Sequence, residues 1–204
     1  MPDHNHPTPD MQTSAPHTNV RNVVASLFIS LDGVTEAPEQ WQFEYFDADM
    51  EAGMIAQMEA EDTVILGRRT YEIWSAFYPT NTELAYAHHV NRVPKYVVSN
   101  SLDSVSWGSW DNVSLLNGNL AEEIARLKQQ PGKNISIPGS TTLVRSMLQD
   151  DLIDELVLLV HPVIVGRGTR LFDDWSGLKR MQLVHSTETR SGVMILSYRP
   201  QQRG

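Results

Sequence analysis

The sequence predicts an α/β fold in which a mixed, mainly parallel sheet carries helices on both faces and ends in an antiparallel C-terminal hairpin. Short apolar runs alternate with amphipathic segments from residue 21 to about residue 148, and a succession of strand-like segments follows. The chain has 204 residues, which is enough for one domain with a substantial core. Neither an internal repeat nor a second domain is indicated.

Residues 1–20 are expected to form a disordered tail before a single domain over residues 21–204. The tail holds four prolines, at positions 2, 7, 9 and 16, and very few apolar side chains. Such a segment cannot bury enough apolar surface to offset the entropy lost on ordering.

The first half of the domain is predicted to contain, in order, a strand at 23–29, a helix at about 47–59, a strand at 62–67, a helix at 68–77 and a strand at 95–99. The first helix is predicted because four apolar side chains recur on one side at helical spacing: Met50, Met54, Ile55 and Met58. The second helix begins directly after Gly67 and places Tyr71 and Trp74 on its inner face.

The second half is predicted to contain a strand at 113–116, a helix at 120–129, a strand at 134–137, a helix at about 140–148, a strand at 154–165 and a hairpin of 181–188 with 193–198. Asn119 is expected to cap the helix at 120–129, and Pro131-Gly132 to close it. The apolar strand at 154–165 and the hairpin residues Val193, Ile195 and Leu196 offer an edge that a second copy is expected to cover, as a homodimer.

The composition argues against several classes of function. The absence of cysteine excludes disulfide scaffolds, cysteine metal sites and a thiol nucleophile. A formal net charge of −9 argues against nucleic-acid partners. We expect no membrane span, no secretory signal and therefore a cytoplasmic location. No metal site is predicted, because neighbouring His88 and His89 would diverge by about 100° on a helix, and His161 is interpreted as a packed core or interface histidine.

Two strand-to-helix junctions have the composition of anion sites. Gly67-Arg68-Arg69-Thr70 combines close backbone approach with positive charge, and residues 138–142 (PGSTT) are small enough to leave backbone amides accessible. Helix N-termini present unpaired N–H groups and partial positive charge to phosphates. Two such junctions at the carboxyl ends of strands in one sheet predict a ligand with a diphosphate, lying across the switch point.

A series of short motifs then carries a family resemblance. In order they are 30–33 (SLDG), 67–72 (GRRTYE), 98–102 (VSNSL), 139–143 (GSTTL), 153–156 (IDEL), 161–166 (HPVIVG) and 171–172 (LF). The chain thus resembles the dihydrofolate reductase-like superfamily over about residues 21–199, specifically the group that contains the C-terminal reductase domain of bifunctional riboflavin biosynthesis proteins. The resemblance implies a dihydrofolate reductase-like three-layer fold and an NADPH-dependent oxidoreductase that acts on a small pyrimidine- or pterin-like substrate.

The resemblance also implies roles for particular residues. Those expected to bind NADPH are Gly67, Arg68, Arg69, Thr70, Ser99, Asn100, Gly139, Ser140, Thr141 and Thr142. Of the two arginines, Arg68 is the one expected to meet the 2′-phosphate. Trp41 is expected to close the substrate pocket. Related reductases also dimerise through the C-terminal strands.

Two carboxylates are the candidate catalytic residues. Glu51 falls where dihydrofolate reductases place the carboxylate of the first helix, although it could be a solvated residue at a helix start. Asp32 lies at the mouth of the expected pocket, although it could merely fix the loop turn.

Two departures from the family patterns bear on the substrate. Leu159 stands where dihydrofolate reductases have a threonine, and Pro138 where riboflavin-pathway reductases have a glutamate. One reading is a reductase of another small heterocycle, and a second is a stand-alone 5-amino-6-(5-phosphoribosylamino)uracil reductase. A third is a catalytically silent nucleotide-binding or dimeric module, because a fold does not determine a function.

Overall fold

The computed structural model describes residues 21–201, so the predicted tail lies outside the described residues. The elements are β1 (Val23–Ser30), α1 (Ala48–Ala60), β2 (Glu61–Gly67), α2 (Arg68–Phe77), α3 (Ala85–Arg92), β3 (Lys95–Val98), β4 (Val113–Leu116), α4 (Leu120–Lys128), β5 (Asn134–Ile137), α5 (Thr141–Gln149), β6 (Glu155–His161), β7 (Met181–Glu188) and β8 (Met194–Pro200). Two short 3₁₀ turns, Pro38–Gln40 and Phe43–Tyr45, lie between β1 and α1.

All eight strands form one sheet in the order β4-β3-β2-β5-β1-β6-β8-β7. The first six strands in this order pair in parallel, and β8 and β7 continue the sheet in antiparallel fashion. The predicted mixed sheet with a C-terminal hairpin is therefore confirmed. Because β2 and β5 are parallel neighbours, their carboxyl ends open side by side at the same edge.

Helices cover both faces of the sheet, as predicted. On one face α4 and α5 pack against β1, through a cluster that includes Ile124, Leu127, Val144, Met147, Val23 and Ala25. On the other face α2 and α3 pack against β2 and β3, through Tyr71, Val90, Val64, Leu66 and Val97. Also on that face, α1 inserts Met50 between Leu159 of β6 and Val193, which precedes β8.

Two predicted elements differ from the structure. The strand expected at 154–165 ends at His161, because Pro162 has no N–H group for the ladder and Val163 N turns back to His161 O at 2.8 Å. Helix α1 buries only Met50, whereas Ile55 is 42% exposed. The reason is that α1 meets the sheet along the side of Met50 and Gly53, where an added Cβ would lie 3.3 Å from Ile195 Cδ1.

The described residues contain no helix that is both long and apolar enough to cross a membrane. Helix α3, which the sequence pattern did not reveal, carries His88 and His89. His89 contacts the buried carboxylate of Glu61 at 3.0 Å. Within residues 21–201, no three His, Asp or Glu side chains are grouped so that they could hold a metal ion.

Lys95, the first residue of β3, is a buried cation. Its side chain is 1% exposed, and Nζ donates to the backbone carbonyls of Val90 and Val93 at 2.8 Å. Nζ also lies 4.9 Å from the centroid of the Trp107 ring. These partners are neutral, and burial lowers the pKa of Lys95 from 10.5 to about 8.

This pKa shift predicts a rise in stability at alkaline pH. Between pH 8 and about 9.5 the unfolded chain binds more protons at Lys95 than the folded chain, so the free energy of unfolding should increase, by about 1–2 kcal/mol. Lys95→Met should remove the increase. Urea titrations of both proteins across this pH range would measure it, and parallel pH profiles would contradict the prediction.

Candidate active site

The two junctions predicted as anion sites meet at one point of the sheet edge. Gly67 ends β2, and its N–H donates to the carbonyl oxygen of Gly139, just beyond β5, at 3.0 Å. A Cβ on Gly67 would lie 2.2 Å from Ser140 Oγ and 2.8 Å from Ser140 N. Only glycine allows this approach of the two backbones. The two predicted sites are therefore one composite site.

A surface cleft of about 570 Å³ opens over this junction. Its lining comes from the start of α2, the end of β3 and the start of α5: Gly67, Arg68, Arg69, Glu72, Val98, Ser99, Asn100, Ser140, Thr142 and Leu143. Seven of the ten residues predicted to bind the cofactor thus line one cleft.

The other three predicted cofactor residues support the cleft from beside or behind it. Gly139 has a φ of +146°, and a Cβ there would lie 2.8 Å from Thr70 Oγ1, so Thr70 and Gly139 pack against each other. Thr141 Oγ1 lies 2.8 Å from Thr35 Oγ1. That hydrogen bond ties the start of α5 to the segment that follows β1.

The two helices that begin at the cleft have no side-chain caps. Gly67 precedes α2 and Ser140 precedes α5, and neither helix has a capping side-chain hydrogen bond or an acidic residue in its first turn. By contrast, Asp47 caps α1 and Asn119 caps α4, and both helices carry acidic residues in their first turns. Helix α3 also lacks a side-chain cap, but its first residues do not line the cleft. The cleft therefore receives two uncapped, positively polarised helix ends.

Arg68 and Arg69 diverge from the start of α2. Arg68 Nε donates to Glu72 at 2.7 Å, and Nη1 donates to Ser101 Oγ at 2.8 Å, which directs the guanidinium along the end of β3. Arg69 Nη2 instead donates to Glu36 Oε1 at 2.7 Å. Arg68 is thus the arginine that lies beside Ser99 and Asn100.

Glu36 is a residue of this region that the sequence patterns did not single out. Its Oε2 accepts from the backbone N–H of Thr169 at 2.8 Å and from Thr169 Oγ1 at 2.7 Å. Chiefly through these hydrogen bonds, and secondarily through Arg69, the pKa of Glu36 falls to about 2. Glu36 thus ties the segment after β1 to both the 166–170 loop and α2.

Asp32 is held by a dense set of donors. It accepts from Ser30 Oγ at 2.7 Å and from the backbone N–H groups of Val165 and Gly166, and it pairs with Arg170 at 3.2 Å. The hydrogen bond from Ser30 and those from the two backbone N–H groups hold the pKa of Asp32 well below its usual range. These contacts favour the loop-fixing role for Asp32, because a carboxylate with so low a pKa carries no proton to donate near neutral pH.

Glu51 occupies the first turn of α1, where its side chain is exposed. The neighbouring acids are engaged elsewhere: Asp47 caps the helix, and Asp49 accepts from Arg190 at 2.9 Å. Glu51 is therefore the carboxylate of this turn that is not committed to a cap or to the Arg190 pair.

An aromatic cluster lies at the carboxyl ends of β1 and β6. The rings of Phe28, Trp41 and Tyr45 meet the imidazole of His161 edge-on, with centroids 5.6, 5.2 and 5.9 Å away. Trp41 Nε1 donates to the carbonyl oxygen of Glu36 at 3.3 Å. Trp41, the residue predicted to close a substrate pocket, thus packs over a buried histidine. This histidine ends β6, and β1 lies between β6 and β5.

Comparison with known proteins agrees with this architecture. The uncharacterized protein YyaP of Bacillus subtilis (strain 168) is 29% identical over 183 residues, which are 87% of this chain and 94% of YyaP. The crystal structure of a putative riboflavin biosynthesis protein from Shewanella sp. PV-4 superposes with a TM-score of 0.74 at 24% identity, over 89% of this chain and 99% of that one.

A further solved structure has the same fold at lower similarity. Dihydrofolate reductase from Enterococcus faecalis, complexed with NADP(H), superposes with a TM-score of 0.58 at 14% identity, over 89% of this chain and 97% of that one. The family model of the RibD C-terminal domain matches residues 21–195, which include every described strand and helix except most of β8. The chain therefore belongs to the RibD C-terminal domain family and has the dihydrofolate reductase-like fold.

Proposed function

We propose that this protein is an NADPH-dependent reductase of a small pyrimidine- or pterin-like heterocycle. The observation that carries the proposal is the composite cleft, where two uncapped helix ends and Arg68 converge beside the close contact of Gly67 with Ser140. Membership of the RibD C-terminal domain family supports the same assignment. So does the shared fold of a dihydrofolate reductase that binds NADP(H).

The cleft residues fit the anionic parts of the cofactor. The first-turn N–H groups of α2 and α5 are donors without side-chain acceptors, as a diphosphate requires. The close backbone approach at Gly67 and Ser140 brings the starts of the two helices side by side. Arg68, Ser99 and Asn100 would hold the adenosine end and its 2′-phosphate. The bound nicotinamide would supply the hydride.

The chain's own residues would orient the substrate, exclude water and supply a proton. Trp41 and the aromatic cluster would shield the reacting ring from solvent. Asp32 and Glu36 would hold the segments on either side of the site in place through their hydrogen bonds to residues 165–170. Glu51, at the start of α1, would orient the substrate or serve as proton source.

Two measurements test the proposed function. Quenching of tryptophan fluorescence by NADPH should saturate, and the loss of NADPH absorbance should report turnover. Comparing 5-amino-6-(5-phosphoribosylamino)uracil with dihydrofolate separates a riboflavin-pathway reductase from a pterin reductase. Saturable NADPH binding without turnover across a panel of pyrimidines and pterins would favour the silent module. No binding at millimolar NADPH would contradict the proposal.

Glu51→Gln tests the carboxylate at the start of α1. If Glu51 takes part in the chemistry, the exchange should lower kcat at least about tenfold and leave the Kd for NADPH unchanged, because the removed group is a proton carrier and does not line the cofactor cleft. Asp49→Asn, two residues earlier in the same turn, is a matched control, because it removes a carboxylate charge that is already paired with Arg190. Unchanged turnover in Glu51→Gln would show that Glu51 is a solvated surface residue with no part in the chemistry.

We also propose that the protein is a homodimer that associates through the β7 edge of the sheet. Every residue from Gln182 to Glu188 is exposed, so residues 21–201 leave both faces of this edge strand uncovered. Leu183 is 49% exposed and Val184 40% exposed, beside a register shift in the pairing of β7 with β8. The edge expected from the sequence is wrong, because β6 lies between β1 and β8, and β8, which carries Ile195 and Leu196, lies between β6 and β7. Val193 is fully buried under α1, because it packs with Met50.

Sedimentation equilibrium at micromolar concentration should therefore give twice the chain mass of 23.0 kDa. Leu183→Glu should shift the equilibrium toward monomer, because it places a charge on the edge that the second copy covers. Gln130→Glu, at an exposed position just after α4 and away from β7, is the charge control. A wild-type protein that sediments as a monomer would contradict the dimer.

A further inference from the structure

His161 is fully buried, and one of its ring nitrogens has a partner. Its side chain is 0% exposed, and Nδ1 lies 2.9 Å from the carbonyl oxygen of Leu159. A carbonyl accepts but never donates, so Nδ1 carries the proton of this contact. In the neutral imidazole, Nε2 is then a hydrogen-bond acceptor.

Nε2 is a buried acceptor that no described residue satisfies. The rings of Phe28, Trp41 and Tyr45 surround the imidazole, and their centroids lie 5.2 to 5.9 Å from its own. Gln42 Oε1, next to Trp41 in the chain, is a second buried acceptor without a donor among residues 21–201. An unsatisfied buried acceptor is costly, and in native proteins such groups commonly have a functional reason.

The place of His161 in the sheet relates it to the cofactor cleft. His161 ends β6 and pairs with Ser30 at the end of β1, and β1 is the strand between β6 and β5. Strands are about 4.8 Å apart and rise about 3.3 Å per residue, so His161 and the Gly139–Ser140 junction are roughly 10–15 Å apart. This distance suits a substrate ring placed next to a nicotinamide.

We propose that His161 Nε2 accepts a hydrogen bond from an amino or imide N–H of a planar substrate ring, in a subsite walled by Phe28, Trp41 and Tyr45. The subsite deepens the proposed reductase function and rests on it. Three aromatic walls favour a flat ring, and the unpaired Nε2 favours a ring that presents an N–H donor. Trp41 lies between two short 3₁₀ turns and is partly exposed, so the ring would enter by displacing this segment.

The surroundings keep Nε2 an acceptor. Burial lowers the pKa of His161 below its ordinary value, and the walls around the imidazole are aromatic. Neutral His161 therefore recognises donors and does not serve as an acid. A diaminouracil ring offers such donors, whereas a ring that is methylated at both nitrogens and has no amino group offers none.

Two near-isosteric variants separate the two nitrogens of His161. The amide of asparagine occupies the position of Nδ1 and can still donate to Leu159, but it removes the acceptor at Nε2. The amide oxygen of glutamine reaches the position of Nε2. If His161 has only a structural role, through Nδ1, His161→Asn should behave like wild type. If Nε2 binds the substrate, His161→Gln should behave like wild type in substrate binding.

The experiment uses the full chain, labelled with ¹⁵N-histidine, in the absence and in the presence of excess NADPH. Adding 5,6-diaminouracil should shift the Nε2 resonance of His161, and 1,3-dimethyluracil should not. His161→Asn should bind 5,6-diaminouracil about tenfold or more weakly than wild type, and His161→Gln should stay within about threefold. Thermal unfolding of each variant checks that it is folded.

Several outcomes would overturn the subsite. They are loss of binding in the glutamine variant with retention in the asparagine variant, equal binding by all three proteins, and no binding of the diaminouracil by wild type. Binding of NADPH is measured separately by fluorescence. If the diaminouracil shifts the Nε2 resonance but NADPH does not bind, the reductase function is refuted and the subsite is retained. If NADPH binds but the diaminouracil leaves the Nε2 resonance unchanged, the subsite is refuted and the reductase function is retained.

Discussion

Arg68→Ala should weaken NADPH binding by about ten- to a hundredfold and change NADH binding by less than about twofold. The two cofactors differ only in the 2′-phosphate, which arginine meets with two parallel charge-assisted hydrogen bonds. The hydrogen bond from Arg68 to Ser101 directs its guanidinium along the end of β3, beside Ser99 and Asn100. Loss of this one side chain should therefore remove the preference for NADPH.

Neighbouring residues provide matched controls for Arg68. Arg69→Ala removes a cation that is paired with Glu36 on the other side of α2, so it should affect the two cofactors equally and less strongly. Glu72→Ala removes the carboxylate that competes for Arg68, and it should strengthen NADPH binding by at most about fivefold, since exposed ion pairs contribute at most about 1 kcal/mol.

Fluorescence titrations with both cofactors would decide the assignment. If Arg68→Ala loses affinity for NADPH and NADH equally, Arg68 contacts the diphosphate that the two cofactors share. Unchanged affinity for both would remove Arg68 from the cofactor site altogether.

Features that depend on neighbours in sequence could be predicted. Gly67 marks the end of β2 and the start of α2 because a glycine between an apolar run and a helical pattern is a local signal, and the predicted bounds of α2 are those of the structure. Asn119 caps α4 as predicted, because its side-chain oxygen accepts hydrogen bonds from the backbone N–H groups of Ala121 and Glu122. The alternation of such local elements predicted the fold class, which the sheet confirms.

Features that depend on distant residues could not be predicted in the same way. Glu36 owes its place to Thr169, 133 positions along the chain, and to Arg69, and no periodic pattern connects these three residues. The merging of the two anion sites depends on β5 lying beside β2, a strand order that local patterns leave open. His161 is buried, as its interpretation as a packed core or interface histidine predicts, but no local pattern indicates that its Nε2 lacks a partner among residues 21–201.

The contact of Gly67 with Ser140 predicts that Gly67→Ala loses both stability and affinity for the two cofactors. In Gly67→Ala the new Cβ would overlap Ser140 Oγ at 2.2 Å and would press on Ser140 N at 2.8 Å. The serine hydroxyl can rotate away, but the backbone nitrogen cannot, so the start of α5 must move away from β2. Overpacking of this kind costs about 1–3 kcal/mol of stability.

In the proposed site both helix ends form the cradle that the two cofactors share, so Gly67→Ala should weaken NADPH and NADH binding equally, by about tenfold or more. Ser140→Gly in the same chain removes the hydroxyl overlap and should restore part of the stability, as a double-mutant cycle would measure. Gly118→Ala is the control, since a Cβ there would meet nothing within 4 Å. Wild-type affinity for both cofactors in Gly67→Ala would separate the composite cleft from cofactor binding, whereas a loss confined to NADPH would place the 2′-phosphate, and not the diphosphate, at the Gly67–Ser140 contact.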